Sequence, residues 1–452
     1  MSDSADIARE VASREIRELI RLHFEAGPAP FVEGETPLPL NVPSFGWEEV
    51  WEAVDSLLTN RVTMGEKVRR FEETFASYIG ARHAVMVNSG SSANLLALSA
   101  LTNPLAERPI APGDEVITPA VTWATTVFPI INVGAVPVLV DVDLDTFSLD
   151  LDEVERAITP RTRAIMPVHL LGNPCDMSRL MEIARRHGLL VIEDTCEAHG
   201  AMLGDRKAGS FGDISTFSFF FTHHVNTVEG GMLVTDDDRL ADLARALRAF
   251  GWVRDQSDPE EIAARYPEID PRFLFVNIGY NFKPTELQAA FGIHQMAKLE
   301  GFIEARRVNA REWTEALLPY GGHVRVHEER EGTRHVWFGY QVTVEPGAPF
   351  ERSDLVAHLE AKGLETRPIV AGNIAEQPAL RLFPHRQAGD LPNSRLIMRR
   401  SFYFGNHQGI GAPERLAVKR YLLEFLDRYR DAVPAPVKAR KAAADDFGGV
   451  DR

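Results

Sequence analysis

Cysteine is nearly absent: Cys175 and Cys196 are the two thiols in 452 residues. Two thiols in one chain build neither a disulfide framework nor a four-thiolate zinc or iron–sulfur centre, and reduced cytoplasm is their natural setting. Lysine is scarce as well, with eight along the chain. Positive charge is in deficit, since 49 Lys and Arg stand against 65 Asp and Glu, a formal charge of -16. That balance argues against nucleic acid or an anionic membrane as the main partner, because binding many phosphates needs a concentrated basic surface. A small anion can still be held locally. Long apolar runs are missing too: none approaches 18 uninterrupted residues, and the N-terminal MSDSADIAREVASREIRELIRLHFEAG is charged throughout, without the apolar core of a signal peptide. Neither export nor membrane insertion is expected.

What is present is an ordinary globular composition, 44% hydrophobic and 25% charged, long enough for one large core and a smaller second domain. Residues 6–25 place Ile, Val and Leu at helical spacing, and AGPAP and GETPLPL then break the pattern, so residues 1–40 read as an accessory helix and linker. Over residues 41–300, HAVMVNS, DEVITPA, VPVLVDV, TRAIMPVHL, LLVIEDTC, ISTFSFF and GMLVTDD read as strands, several apolar on both faces, separated by amphipathic helices. This pattern predicts a large α/β domain built on a mostly parallel sheet covered on both sides. A long helical stretch covers residues 285–318, followed by HVWFGYQVTV, SDLVAHLEAKG and ERLAVKRYLLEFLDRYRDAV, which predict a smaller α+β domain over residues 301–432. Residues 433–452 are polar and small and read as a disordered tail.

Several stretches carry chemistry. NSGSSANLLALSAL follows a strand and opens a helix, so Ser91 and Ser92 stand either as a phosphate cradle at the positive end of a helix dipole or as a plain N-cap. Asp194 ends an apolar strand in LLVIEDTCEAHG, the place where open α/β sheets hold ligands. A carboxylate there either pairs with a protonated pyridine nitrogen, making the ring an electron sink, or caps the next helix. Trp123 in TPAVTWATT either stacks on such a ring or belongs to the core. Ser218 lies five residues before His223 and offers another phosphate ligand. The histidine pair of FTHHVNTVEGG sits in a short polar gap between two strands, and on its own reads as well as an incidental surface loop.

Taken in order, TMGEKVRRFEETFASYIGARHAVMVNSGSSANLLAL, GDEVITPAVTW, VDVDLDTFSLD, IEDTCEAHGA, GSFGDISTFSFF, VEGGMLVTDD and GYNFKPTELQAAFG resemble the DegT-type sugar aminotransferases of pyridoxal-phosphate fold type I, over residues 40–430. The resemblance implies that Ser91, Ser92 and Ser218 hold the cofactor phosphate, Trp123 stacks on the ring, Asp194 meets the pyridine nitrogen and Glu197 sits near the ring hydroxyl. It also implies a homodimer with shared sites, in which Asn281 reaches the phosphate of the neighbouring subunit.

One position departs from that pattern. The aminotransferases carry their Schiff-base lysine five residues after the Ser218 position, and here His223 stands there. Imidazole forms no such linkage, but with an unperturbed pKa near 6.5 it moves protons at neutral pH. Lys207 and Lys283, the nearest lysines in sequence, do not match the nucleophile position. A histidine here resembles the sugar 3-dehydratase branch of the family. The CDP-sugar type of that branch carries an iron–sulfur cluster, for which Cys196 lacks cysteine partners between residues 250 and 280. The colitose-type branch, acting on GDP-4-keto-6-deoxy-D-mannose, is the nearer in TMGE, HLLGNP, the histidine pair before EGG, RAFGWVR, ETRPIVAGN and FGNHQ.

The resemblance therefore implies removal of the 3-hydroxyl from a nucleotide-linked 4-keto-6-deoxyhexose by pyridoxamine phosphate, with His223 as base and then acid. Products would be a 3-deoxy-4-keto sugar and ammonia, with L-glutamate regenerating the cofactor. An aminotransferase and a non-catalytic cofactor-binding regulator are the alternatives. His224 reads as a structural partner of the loop, while Arg254 and Arg367 are either binders of sugar hydroxyls or the glutamate carboxylate, or solvated surface.

Overall fold

The protein, seen in a computed structural model, is described over residues 2–27 and 29–432; the tail expected to be disordered lies outside the described residues. Eight strands form the larger sheet: β1 (His83–Val87), β2 (Glu115–Pro119), β3 (Val136–Val140), β4 (Thr162–Ile165), β5 (Leu190–Asp194), β6 (Ile214–Ser218), β7 (Gly231–Thr235) and, from far along the chain, Arg386–Gln387. The spatial order is β1, β7, β6, β5, β4, β2, β3 and then that late strand. All neighbours run parallel except β7, which is antiparallel to both β1 and β6. The reason is local: residues 219–230 hold no helix to carry a crossover, so the chain returns beside β6 in the opposite sense. That return loop carries His223 and His224.

The α-helices as far as the one directly after β7 are, in chain order, α1 (Ser2–Glu25), α2 (Trp47–Leu58), α3 (Glu66–Ile79), α4 (Gly90–Leu101), α5 (Ala124–Asn132), α6 (Leu151–Ala157), α7 (Met177–His187) and α8 (Asp238–Arg248). Alternation along the strands fills both faces. Val85, Val87, Ile192, Ile214 and Leu233 point to one side, against α4 (Gly90–Leu101) and α8 (Asp238–Arg248). Met86, Phe217, Met232 and Val234 point to the other, against α3 (Glu66–Ile79) and the long helix Glu286–Leu317. The long helix starts at a capping box, Thr285 accepting from the N–H of Gln288 while the Gln288 side chain returns to the Thr285 N–H. At 32 residues it reaches from the large sheet to the C-terminal one, and the expected division at residue 300 falls inside it.

The second sheet, of Val324–Arg325, Gly339–Val344, Ser401–Gly405 and Thr366–Pro368 in that order, is antiparallel throughout. It closes on Trp313, Tyr340, Phe402, Phe404 and Phe425. Helix Ser2–Glu25 lies outside both, with the Arg17 guanidinium 5.3 Å above the Trp47 ring.

HVWFGYQVTV is not one strand. Its ladder begins at Gly339, because Trp337 has φ of 50° and the N–H groups of Val336 and Phe338 go instead to the carbonyls of Gly172 and Leu171. No helix among the described residues is long and apolar enough to cross a membrane.

Candidate active site

The chemistry-bearing stretches meet at the C-terminal ends of the parallel strands, the edge where open α/β sheets bind ligands. After β1 the chain turns at Ser89, whose backbone is extended (φ -165°, ψ 160°) and whose Oγ accepts the N–H of Ser92 at 3.1 Å. Ser89 is thus the cap of α4, and the alternative in which Ser91 or Ser92 is a plain N-cap is corrected. Both lie within the first turn, Ser91 exposed and Ser92 half-buried, leaving Ser91 Oγ and first-turn N–H groups available to an anion.

Two glycines make this turn possible. A Cβ on Gly90 would stand 2.4 Å from Cβ of Ser218, and one on Gly231 would stand 2.3 Å from the carbonyl oxygen of Ser89. The helix start, the end of β6 and the start of β7 therefore touch, and Ser218 is brought beside Ser91 and Ser92.

Asp194 is buried at the end of β5. Its Oδ2 accepts from Asn94 Nδ2 at 3.0 Å and from Thr126 Oγ1 at 2.8 Å, while Oδ1 accepts the N–H of Cys196 at 3.2 Å. No helix follows for it to cap, since residues 195–200 form turns. Asn94 and Thr126 were not singled out from the sequence; Asn94 lies one turn beyond Ser91 on α4, and that spacing is the available signal.

Trp123 is 57% exposed at the start of the helix Ala124–Asn132, which removes the core alternative and leaves its indole open to a ligand. Glu197 is half-buried, its Oε2 accepting the N–H of Leu171 at 2.7 Å. Burial drives its pKa up to about 7, assisted by the negative charge of Asp194 and opposed by the Leu171 hydrogen bond.

His223 lies half-buried on the return loop, its N–H bonded to the carbonyl of Phe220 at 2.9 Å. Its ring is 5.2 Å from that of Phe338 and 6.1 Å from that of His199. Nδ1 is buried and has no hydrogen-bond partner among the described residues. Desolvation, followed by the positive charge of Arg306, pushes its pKa down to about 3. The expectation of an ordinary imidazole is corrected accordingly: apolar walls and a nearby cation keep this ring neutral. His224 is fully buried and donates from Nε2 to the carbonyl of Val336 at 2.9 Å, tying the loop to the segment that carries Phe338.

The remaining candidates lie apart from these contacts. Asn281 is exposed and accepts from Lys283 Nζ at 2.6 Å. Lys283 also sits 3.8 Å above the Phe250 ring, and Lys207 sits 4.6 Å above that of Tyr78, so neither is near His223 in its contacts. Arg254 is exposed over the Trp252 ring at 5.1 Å, and Arg367 pairs with Glu365 at 2.7 Å.

Pyridoxal phosphate fits this donor set. A helix N-terminus with free hydroxyls suits its phosphate, an oriented carboxylate its ring nitrogen and an exposed indole its ring face. Buried polar atoms without partners in the chain, Asn88 Oδ1, Thr195 Oγ1 and His223 Nδ1, occur along the same stretches.

Several known proteins are similar to this chain over most of its length. GDP-4-keto-6-deoxy-D-mannose 3-dehydratase of Yersinia pseudotuberculosis is 39% identical over 374 residues, 80% of this chain and 92% of that protein. dTDP-4-dehydro-2,6-dideoxy-D-glucose 3-dehydratase of Saccharopolyspora spinosa is 39% identical over 399 residues, 86% of each. The crystal structure of GDP-4-keto-6-deoxymannose-3-dehydratase with a trapped PLP-glutamate geminal diamine superposes with a TM-score of 0.81 at 34% identity, covering 85% of this chain and 100% of that one. The profile of the DegT/DnrJ/EryC1/StrS aminotransferase family spans residues 44–417, from just before the second helix into the last one. On this match and on the shared fold, the chain belongs to the DegT/DnrJ/EryC1/StrS aminotransferase family.

Proposed function

We propose that the protein is a pyridoxal/pyridoxamine phosphate-dependent 3-dehydratase of a nucleotide-linked 4-keto-6-deoxyhexose, with GDP-4-keto-6-deoxymannose as the favoured substrate. The observation that carries this reading is His223: an imidazole that forms no Schiff base stands where the family's aminotransferases hold their lysine, in a site that keeps the rest of the cofactor set. When bound, the cofactor supplies an amine for the sugar ketone and an electron sink for the pair left by deprotonation.

The chain's own residues do the rest. Asp194, aimed by Asn94 and Thr126, keeps a proton on the ring nitrogen. Trp123 covers the ring, Glu197 faces its hydroxyl, and Ser91, Ser92 and Ser218 hold the phosphate. His223 enters neutral, as a base must, and takes a proton from the methylene carbon. With Nδ1 buried, Nε2 is the nitrogen that exchanges it. The resulting imidazolium sits where burial disfavours charge, so it is a strong acid, suited to delivering that proton to the 3-hydroxyl as it leaves. Hydroxide leaves poorly without that proton.

The products are a 3-deoxy-4-keto sugar and ammonia, and L-glutamate restores the amine. The protein works as a homodimer in the cytoplasm, each protomer lending Asn281 to its partner's phosphate. The exposure of Asn281, with Phe273, Phe275 and Ile278 also exposed on the preceding segment, supports that pairing.

Mass spectrometry of products from GDP-4-keto-6-deoxymannose and its CDP, dTDP and UDP counterparts, with glutamate and pyridoxamine phosphate supplied, tests the reading. A 3-deoxy product with ammonia is expected. A 4-amino sugar would instead establish an aminotransferase, and no turnover of any donor would favour the non-catalytic alternative.

A further inference from the structure

Among the described residues, Arg306 is the largest charged side chain that is fully buried, 2% exposed within the long helix Glu286–Leu317, and none of their carboxylates pairs with it. A guanidinium is costly to bury unless it is paired or its donors are met by acceptors. Here Nη1 donates to the carbonyls of Phe338, at 2.9 Å, and Asn406, with a longer approach to that of Trp337 at 3.5 Å; Nε has no partner. Asn406 returns the contact, donating from Nδ2 to the carbonyl of Arg306 at 3.1 Å, and Asn309 ties in through Asn406 Oδ1 at 3.1 Å. The charge is thus held by backbone dipoles alone, at the junction of the long helix, the segment 336–338 and the end of the strand Ser401–Gly405.

That segment is the wall behind both histidines. Phe338 puts its ring 5.2 Å from His223, and Val336 puts its carbonyl 2.9 Å from Nε2 of His224. On its other side the segment is fixed to the loop that serves Glu197, through Phe338 N–H to the Leu171 carbonyl at 2.9 Å and Val336 N–H to the Gly172 carbonyl at 3.0 Å. Gly172 allows so close a lie, since a Cβ there would be 2.8 Å from a methyl of Val336 and 2.9 Å from the N of Trp337. One buried cation therefore anchors a strip of backbone in contact with both sides of the site.

We propose that Arg306 is a positioning residue for His223: it pins the 336–338 segment against the histidine loop, and its unpaired positive charge opposes a second one on the imidazole. The inference rests on the assignment of His223 as the proton carrier. The titratable and charged groups facing His223 are His199, His224 and Arg306 itself. The two other imidazoles are also held neutral by burial, which leaves Arg306 as the fixed charge of the cluster. A neutral base that becomes a strong acid is what the dehydration asks of this position; a cation beside it keeps the imidazole neutral at the outset and strengthens the acid half of that cycle, at the cost of a weaker base in the first half.

The test uses full-length protein in two assays. In cofactor-free chain, brief diethylpyrocarbonate exposure across pH 2.5–7, over the range in which circular dichroism shows the chain folded, followed by peptide mass spectrometry, reads the fraction of neutral His223, with His223→Asn as the blank. Arg306→Met is expected to move the midpoint of His223 modification upward by about one pH unit or more. Arg306→Lys keeps the charge but not the carbonyl clamp, so its midpoint stays with the wild type. In the loaded enzyme, Arg306→Lys is expected to lower kcat at least about tenfold with KM within about twofold. An unchanged midpoint in Arg306→Met, or wild-type kcat in Arg306→Lys, overturns the proposal. If Arg306→Met does not fold, the Arg306→Lys split between midpoint and kcat decides alone. Should the wild-type protein dehydrate no nucleotide sugar, the proposed activity fails, while the modification midpoints still decide whether Arg306 governs the charge of His223.

Discussion

Asn94 donates from Nδ2 to Oδ2 of Asp194 at 3.0 Å, joining the phosphate-facing helix to the strand that carries the ring-facing carboxylate. Asn94 Oδ1 in turn accepts from Thr216 Oγ1 on β6, so one amide couples three elements of the site. Replacing Asn94 with Leu keeps the volume and removes both contacts, leaving the Asp194 carboxylate short of a donor and the Thr216 hydroxyl short of an acceptor. A cost of about 1–3 kcal/mol in stability is expected, together with roughly a tenfold fall in kcat as the carboxylate loses its aim. Thr126→Val, which removes the other donor to the same oxygen, should act in the same direction. Thermal melts and steady-state rates check both, and an Asn94→Leu enzyme with unchanged kcat would show that Asp194 is held without it.

His223 offers the sharpest substitution. His223→Asn keeps polarity and approximate size but cannot take up and return a proton, so sugar dehydration should fall by about 10²–10⁴-fold. His223→Lys should create a lysine–cofactor linkage that borohydride reduces and that peptide mapping finds at position 223. In the wild type, borohydride with pyridoxal phosphate should label no lysine. A labelled Lys207 or Lys283 would mean that a displaced nucleophile serves this chain.

Stability should fall on the acid side of neutrality. Burial holds His199, His224 and His335 well below the ordinary imidazole value, and pushes His223 and His327 down to about 3 and His407 to about 4. Each takes up a proton in the unfolded chain below the ordinary imidazole value of 6.5 but not in the folded one, so the folded state loses ground as pH falls from 6.5 toward those depressed values. Glu197 works the other way: raised to about 7 from 4.5, it favours the folded state at low pH and that benefit is lost as pH rises through 7. His169 and Glu229, also raised by their surroundings, act in the same direction as Glu197, and the six lowered imidazoles outweigh these three. Melting temperatures of the cofactor-free chain should therefore be lower at pH 5 than at pH 7, and His327→Leu should reduce the difference. Equal values at the two pH values would contradict the buried neutral state of these rings.

The sequence made the strands of the large sheet legible because they are apolar on both faces and bounded by turn residues, and their ends carried Asp194 and Ser218. Ser91, Ser92 and Trp123 could be named from position after a strand, but a cap and a core residue were equally good readings until Ser89 took the cap and Trp123 proved exposed. What could not be read was anything set by contacts between distant segments. Asn94 and Asp194 lie 100 residues apart, and Arg306 and Asn406 likewise, with no local pattern to announce either pair. The depressed basicity of His223 belongs to this class, since its neighbours Phe338 and Arg306 come from beyond residue 300. HVWFGYQVTV shows the same limit from the other side: alternation predicts a strand through Val336, but the tertiary bonds to Leu171 and Gly172 win.

Gly90 separates helix propensity from site geometry. Within α4, glycine is a poor helix former, and Gly90→Ala would stabilise an isolated helix by up to about 1 kcal/mol. Here, however, the new Cβ would stand 2.4 Å from Cβ and 2.8 Å from Oγ of Ser218, closer than van der Waals contact allows, so α4 and the end of β6 must separate. The two effects have opposite signs, and the steric one should win because the obstacle includes the Ser218 Cα, at 3.0 Å, as well as its short side chain. Gly90→Ala is expected to lower the melting temperature and to weaken pyridoxal phosphate binding at least about tenfold, more than Ser218→Ala, which removes one hydroxyl worth about 1 kcal/mol. Fluorescence titration of the cofactor-free chain measures both affinities. A Gly90→Ala protein that melts higher and binds as tightly would mean that the Ser91, Ser92 and Ser218 cradle does not depend on this close approach.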